Sequence, residues 1–535
     1  RHELETGMPD TLNILNRYLS LFRTNAKSAF SELQYEIRLT YGDNAILFKL
    51  DGQLGHNWSD ANQQYLVQYA GSKAQQTKRT NPKSSHSYSY MARVFAFLSP
   101  FGKDSHFNFW PEYYVKKSYT NSSDMYYDLA ADTIAGEYDL LRTEEKLERY
   151  ASILDPRNSY DYTQHNLEQS TCLFWIYEKR TPDEHGRDYS RIQFNLSPTL
   201  TYLRRSMIFR GFDRQNISKN SLLPDIDFMA RIVPPGARQD LRLHYNFFMT
   251  QPDMMDLINV HFNSDPLNQT MGNPGLKNSF SHKVRFTYRP MKGFWGWFFP
   301  TLDFSYTFRQ NSVTYGTTYD LATGVRTTQP FNISGNREGS FMVILRANST
   351  KFKGFSVVNV TNFSPTRYVT LIGDDSGNGL QRSISHREYW SDQISVQYNK
   401  DKFSVALVAD VNVNHTVSRT GDFDPYTLTN FRYGVRGLVR LPWNIEISTN
   451  LRMYSWRGYS EPSQNTDRLI WNATISKSIL KGALRFALEG YDMLCQSRNL
   501  TSNVTASYRQ ETRFRHIPNY FMFSISYNFA RKMKQ

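Results

Sequence analysis

The chain has 535 residues, of which 39% are hydrophobic and 15% aromatic, with 36 Phe, 35 Tyr and 9 Trp. Its formal net charge is +14, from 63 Lys and Arg against 49 Asp and Glu, and its mean hydropathy is −0.59. No run of eighteen apolar residues occurs, so a transmembrane helix is excluded; the greasiest stretch, GFWGWFFP at 293–300, is far too short. Cys172 and Cys495 are too few for a disulfide framework or a thiolate metal cluster and read as two unpaired thiols. The length would ordinarily suggest two or three domains, but a many-stranded barrel uses such length as one unit. Aromatic girdles around a polar-lined barrel would explain a chain both this polar and this rich in rings. The positive balance could signal nucleic-acid binding; solvated loops and a charged barrel interior account for it instead, so no nucleic-acid partner is expected. The chain starts at Arg1 with no signal-peptide apolar region, which suggests a processed protein or a fragment.

In chain order, strands are expected near 13–24, 31–41, 44–57, 86–99, 105–119, 159–179, 189–205, 224–233, 240–250, 278–289, 302–319, 327–347 and 354–368. Long polar loops are expected at 59–84, 120–158 and 251–277. The period-two pattern is plain in several places. Leu241, Leu243, Tyr245, Phe247 and Met249 alternate with Arg242, His244, Asn246 and Phe248. Leu302, Phe304, Tyr306 and Phe308 alternate with Asp303, Ser305, Thr307 and Arg309. Further strands fall at 386–399, 402–415, 428–440, 444–457, 465–477 and 482–495. The connections NKDK (399–402), LPW (441–443) and SILK (478–481) are short and alternate with longer polar stretches at 416–427, 458–464 and 496–513.

Amphipathic strands of this kind fit a soluble sandwich with the apolar face inside, or a membrane barrel with it outside. Short turns on one rim and long loops on the other favour the barrel. The final strand puts Phe521, Phe523, Ile525, Tyr527 and Phe529 on one face and Tyr520, Met522, Ser524, Ser526 and Asn528 on the other. Ten residues at about 3.3 Å each, tilted near 45°, cover roughly the 25 Å apolar band of such a barrel. Hydrocarbon offers unpaired backbone groups no partner, so this strand is expected to close against the first. The fold class is therefore all-β: one transmembrane antiparallel barrel of about 20–22 strands over residues 1–535, with short periplasmic turns and long extracellular loops.

The stretch QPDMMDLINVHFNSDPLNQTMGNPGLKNSFSHKVRFTYR (251–289) resembles a segment of TonB-dependent receptor barrels, especially the outer-membrane β-barrel family of Bacteroidetes. The likeness is carried by Gln251 and Pro252, by Asn263, Asp265 and Pro266, and by Gly272, Asn273 and Pro274. The run EGYDMLCQSRNLTSNVTASYRQETRFRHIPNYFMFSISYNF looks like that family's last hairpin, although ARKMKQ follows Phe529 where members usually stop. The resemblance implies residence in the outer membrane of a Gram-negative bacterium and 22 strands. It also implies an N-terminal plug with a TonB-contacting segment, which this sequence does not contain. The implied function is import of a ligand captured by extracellular loops. The alternative is a non-transporting barrel, a structural subunit of a complex handling surface lipoproteins or outer-membrane protein assembly. Expected partners are outer-membrane lipid, a plug domain or partner lipoprotein, and the TonB system if a plug exists.

By alternation, Arg432, Arg436, Arg440, Arg452, Arg468 and Arg485 share the non-lipid face with Asp410, Glu446 and Glu489. Arginine facing lipid at mid-depth would cost about 2–4 kcal/mol, whereas the lumen tolerates it. This basic wall either attracts anions, docks an acidic plug, or simply pairs with lumen carboxylates. The loop GDDSGNG (373–379) has calcium-loop spacing at Asp374, Ser376 and Asn378, but Ser385 stands where a bidentate Glu is needed, so it reads as a turn. The aromatic stretch NFWPEYYVKKSY (108–119) reads as an interface belt or a stacking surface. No G-x-S-x-G, H-E-x-x-H or phosphate-loop motif occurs, so neither enzymatic activity nor a cofactor or metal is expected.

Overall fold

A computed structural model of the protein describes residues 2–6, 13–41, 44–69, 76–98, 101, 106–128, 153–182, 189–235, 239–263, 268–290, 296–320, 325–374, 379–421, 424–459, 462, 465–497, 500–504, 509–513 and 519–528. Among these the strands are β1 His2–Thr6, β2 Asn13–Tyr41, β3 Asn44–Tyr69, β4 Gln76–Ala96, β5 Phe107–Asp124, β6 Tyr127–Asp128, β7 Tyr160–Pro182, β8 Tyr189–Arg210, β9 Arg214–Val233 and β10 Gln239–Thr250. They continue as β11 His261–Phe262, β12 Asn268–Met271, β13 Ser279–Pro290, β14 Phe298–Gln310, β15 Ser312–Tyr319, β16 Arg326–Ile333, β17 Asn336–Asn348, β18 Phe355–Asp374, β19 Gln381–Lys400 and β20 Phe403–Ser418. The last are β21 Tyr426–Leu441, β22 Ile445–Arg457, β23 Asp467–Ile479, β24 Leu484–Tyr491, β25 Leu500–Val504, β26 Arg509–Arg513 and β27 Tyr520–Tyr527.

Twenty of these strands pair antiparallel in chain order from β1 to β27 and form the wall. The other seven, β6, β11, β12, β15, β16, β25 and β26, sit at the rim opposite the tight turns. Tight turns form where the sequence tolerates a left-handed backbone. Pro442–Asn444 turns with Trp443 and Asn444 at φ 61° and 58°, and Leu480–Gly482 with Leu480 at 52° and Gly482 at 90°. In that last position a side chain on residue 482 would be strained.

Alternation separates two faces. Leu407, Val435, Leu451, Trp471, Leu488 and Phe523 lie on one, all of them exposed, with Leu407 at 57% and Phe523 at 63%. Arg432, Arg436 and Arg452 lie on the other. Large apolar side chains facing outward over a whole sheet are the signature of a lipid-facing wall.

The structure corrects several expected boundaries. The segments 13–24 and 31–41 are one continuous strand, β2, and most of the loop expected at 59–84 is the paired upper part of β3 and β4. Polar runs such as Asn62, Gln63 and Gln64, and Lys78, Arg79 and Thr80, give no apolar alternation to read there. The expected strands 302–319 and 327–347 each divide in two, at Asn311 (φ 49°) and at Gly335 (φ 111°). Most of 120–158 lies outside the described residues.

Closure also differs from expectation. Among the described residues β27 pairs with β24, while β1 pairs with β2 and with β26, through His2–Thr512 and Glu3–Glu511. Among the described residues the two ends of the sheet meet at the level of β26. Along β2, residues 24–39 are exposed on both faces, and among the described residues only β3 flanks them.

Candidate lumen wall and extracellular cap

The family-like segment 251–278 is a packed cap rather than an extended loop. Met207 and Phe209, on the inward face of β8, form a core with Met254, Leu257, Ile258 and Leu276 of the segment. Tyr160, Ile217 and Phe262 pack around it. Asp253 Oδ1 accepts the Met255 N–H at 2.8 Å and starts a short 3-10 turn over Met255–Leu257. Gly272 is required where the chain returns: a Cβ there would lie 1.8 Å from the Ile258 carbonyl oxygen.

Polar bonds fasten the cap to the wall. Asn158, 1% exposed, donates to Asn263 Oδ1 at 2.5 Å and accepts the Asn263 N–H at 2.9 Å. Lys219 Nζ donates to the Leu276 carbonyl at 2.6 Å, and Gln251 Nε2 to the Leu203 carbonyl at 3.0 Å. Asn273 Nδ2 donates to the Pro330 carbonyl at 2.9 Å, while Asn273 Oδ1 accepts the Gly275 N–H at 2.9 Å, bracketing Pro274. Tyr315 OH donates to Asp256 Oδ1 at 2.9 Å. Burial raises the Asp256 carboxyl above its ordinary value. Burial and the Asp256 hydrogen bond push the Tyr315 hydroxyl up to about 12. Of the motif residues singled out from the sequence, Asn263, Gly272, Asn273 and Pro274 therefore belong to one element; Asp265 and Pro266 lie outside the described residues.

The inner face carries ion pairs in two stretches. On β9–β14, Asp240 receives Arg231 at 2.9 Å and Arg242 at 2.6 Å, Asp303 receives Arg285 at 2.8 Å, and Asp227 meets His244 Nε2 at 2.6 Å. On β20–β24, Arg432 reaches Asp410 at 2.6 Å and Arg440 reaches Glu446 at 3.3 Å. Arg485 bonds Ser476 at 3.0 Å and approaches Glu446 at 3.8 Å. Arg452 donates to Asn450 at 3.1 Å, and Arg468 lies over the Trp456 ring at 4.8 Å. Arg436 stands opposite Ala406 and Asn450 in the ladders. Glu489 accepts from Tyr491. The six arginines thus line one face but do not converge on a point. Cys172 and Cys495 are free thiols. Phe521, Phe523, Ile525 and Tyr527 share the outer face of β27, next to Phe486 and Leu488; Phe529 lies outside the described residues.

Sequence reading missed the β9–β14 pairs, although Asp225, Asp227 and Asp240 sit at regular period-two positions that could have shown them. It also missed a polar trio on the outer face: Asp392 accepts from Thr361 at 2.6 Å and from Asn359 at 3.0 Å, in the rows flanked by Phe363, Trp390 and Val411.

An inverted antiparallel cylinder, oily outside and ion-paired inside, defines a β-barrel that crosses a membrane with its strands. The sequence model of the outer membrane protein beta-barrel family matches residues 220–527, more than half of the chain, and the chain belongs to that family. It spans the outer membrane. No curated protein matches the sequence. Among solved structures it is similar to the siderophore receptor PirA from Pseudomonas aeruginosa (8% identity, 94% of this chain and 80% of that chain, TM-score 0.38). It is also similar to BauA, the ferric preacinetobactin receptor from Acinetobacter baumannii (9%, 95% and 79%, 0.42), and to the copper transporter OprC (8%, 95% and 79%, 0.44).

Proposed function

We propose that this barrel is the conduit of an outer-membrane import receptor of the TonB-dependent kind. Its wide lumen holds a plug, and its inward-folded extracellular cap screens the mouth. The carrying observation is the inner wall. Among the described residues, twenty staves exceed the 16–18 strands of porins that leave an open aqueous channel and approach the 22 of plugged transporters. Their inward side chains form a fixed lattice of paired charges and amides such as Arg432–Asp410 and Arg285–Asp303. A lattice of this kind suits reversible docking of a polar plug, because its arginines stay partly exposed, Arg432 and Arg285 both at 44%, and keep donors free for an incoming acceptor. The wall itself makes and breaks no bonds. A photocrosslinker at Arg436 in the full-length protein tests the reading. Crosslinks within the same polypeptide, altered when the inner membrane is de-energised, are expected. Crosslinks only to a separate lipoprotein, insensitive to energy, would favour the structural-subunit role instead.

A further inference from the structure

Two basic residues that point away from the lumen, Lys117 on β5 and Arg204 on β8, stand close together. On β5, Phe107, Tyr113 and Lys117 share the outward face; on β8, Phe194, Leu200, Tyr202 and Arg204 share it. The ladders place Lys117 opposite Leu167 and Leu167 opposite Arg204, so the two cations flank one leucine across three adjacent strands. At about 4.8 Å per strand their backbones lie roughly 10 Å apart, close enough for both long side chains to reach one group above Leu167. Among the described residues neither makes an ion pair. Asp161, the carboxylate above them on that face, is engaged by Arg210.

Their depth is fixed by the strands. Phe107, Tyr177 and Phe194 form an aromatic cluster toward the short-turn rim, with centroids 4.9 and 6.1 Å apart. Lys117 lies ten residues along β5 from Phe107, and Arg204 ten along β8 from Phe194. Ten residues cover roughly 33 Å, or about 25 Å along the membrane normal at the usual tilt. That equals the height of the apolar band, so the cations stand at the extracellular headgroup level, where a lipid-facing charge costs only about 0–1 kcal/mol. One row further out runs a line of rings: His56 stacks on Tyr88 at 4.4 Å, Tyr88 lies 6.2 Å from Tyr119, and Tyr119 meets His165 edge-on at 5.0 Å. Tyr88, Tyr90, Lys117, His165 and Arg204 line a groove of about 380 Å³.

We propose that this groove on the outer wall binds a phosphorylated glycolipid of the outer leaflet. Lys117 and Arg204 clamp a headgroup phosphate, the ring row lies against the sugar, and the acyl chains run down over Val115, Tyr202 and Leu222. Charge selects the phosphate, because cations held at a membrane surface attract anionic lipid. The rings favour a sugar over a glycerol headgroup, since flat aromatic faces cover apolar sugar faces while hydroxyls bond outward. Position selects a lipid over a free anion, because the site opens onto the bilayer.

The test uses the full-length protein in nanodiscs, with binding of bisphosphorylated lipid A, its dephosphorylated form and phosphatidylglycerol measured by native mass spectrometry. Expected is preference for bisphosphorylated lipid A, weakened about fivefold by Lys117→Gln or Arg204→Gln and about 30-fold by both. Arg452→Gln on the inner face should leave binding unchanged. Heat-modifiable gel migration confirms that each variant folds. Equal lipid A binding by the folded double variant, loss of preference over the dephosphorylated form or phosphatidylglycerol, or displacement by millimolar inorganic phosphate would each overturn the proposal.

Discussion

The cap over β8 and the free-standing length of β2 show two ways in which one chain meets its surroundings. In the cap, Met207, Phe209, Met254 and Ile258 are 0–1% exposed and interlock as in a water-soluble core. Along β2, Phe30 and Leu33 are 66% and 73% exposed, although the backbone pairs with β3 from Asn16 to Tyr41. Backbone pairing therefore does not depend on side-chain packing here. Regular strands are held by their ladders and by lipid, while irregular backbone at the mouth of the lumen needs its own core and its own polar fasteners.

Substitutions sharpen this contrast. The largest effect is expected from Gly272→Val, whose first side-chain carbon would overlap the Ile258 carbonyl. Hydrogen exchange across 251–278 should accelerate more than about 100-fold while the barrel keeps its heat-modifiable migration, a loss of about 3 kcal/mol or more confined to the cap. Phe209→Ala empties the cap core and should cost about 3–5 kcal/mol by the same readout. Phe523→Leu, facing fluid lipid, should change barrel stability by less than about 1 kcal/mol in urea titration, since lipid reshapes around it. If the two aromatic sites respond alike, the distinction between cap and wall fails.

The Tyr315–Asp256 bond gives a smaller effect with a definite pH signature. The Tyr315 hydroxyl titrates at about 12, above the ordinary phenol value of 10, so its stabilising contribution is complete below pH 10 and vanishes as pH rises through 12. Tyr315→Phe should loosen the cap by about 1 kcal/mol at neutral pH and remove that alkaline transition from its exchange profile. Smallest of all, Arg309→Gln should alter stability by about 0–1 kcal/mol, because Arg309 and its Glu338 partner are both well exposed, at 39% and 51%.

The wall was legible because lipid on one side and a wet lumen on the other impose a strict period of two. The turns 401–402, 442–444 and 480–482 fall where the short connections put them. Counting by two sets Arg432, Arg436 and Arg452 on the face opposite Val435 and Leu451, but it gives no Arg432 partner, since Asp410 comes from the neighbouring strand β20, whose register only the ladder defines. The cap was illegible as a packed unit. Met254, Leu257 and Ile258 follow no period, and their partners Met207 and Phe209 lie some fifty residues away on β8. Gly272 and Asn273 stood out in the sequence only through the family resemblance. The upper parts of β3 and β4 carry no strand signal, because polar runs such as Asn62, Gln63 and Gln64 interrupt the apolar alternation.

The most direct test of the account is the polarity of the wall. Spin labels at Leu407 and Arg432, two positions on opposite faces of the β20–β21 hairpin, are read in lipid vesicles for collision with oxygen and with a water-soluble nickel chelate. Label 407 should collide with oxygen and be shielded from nickel, and label 432 should do the reverse. Nickel access at 407 together with an oxygen-dominated label at 432 would contradict the inverted cylinder outright.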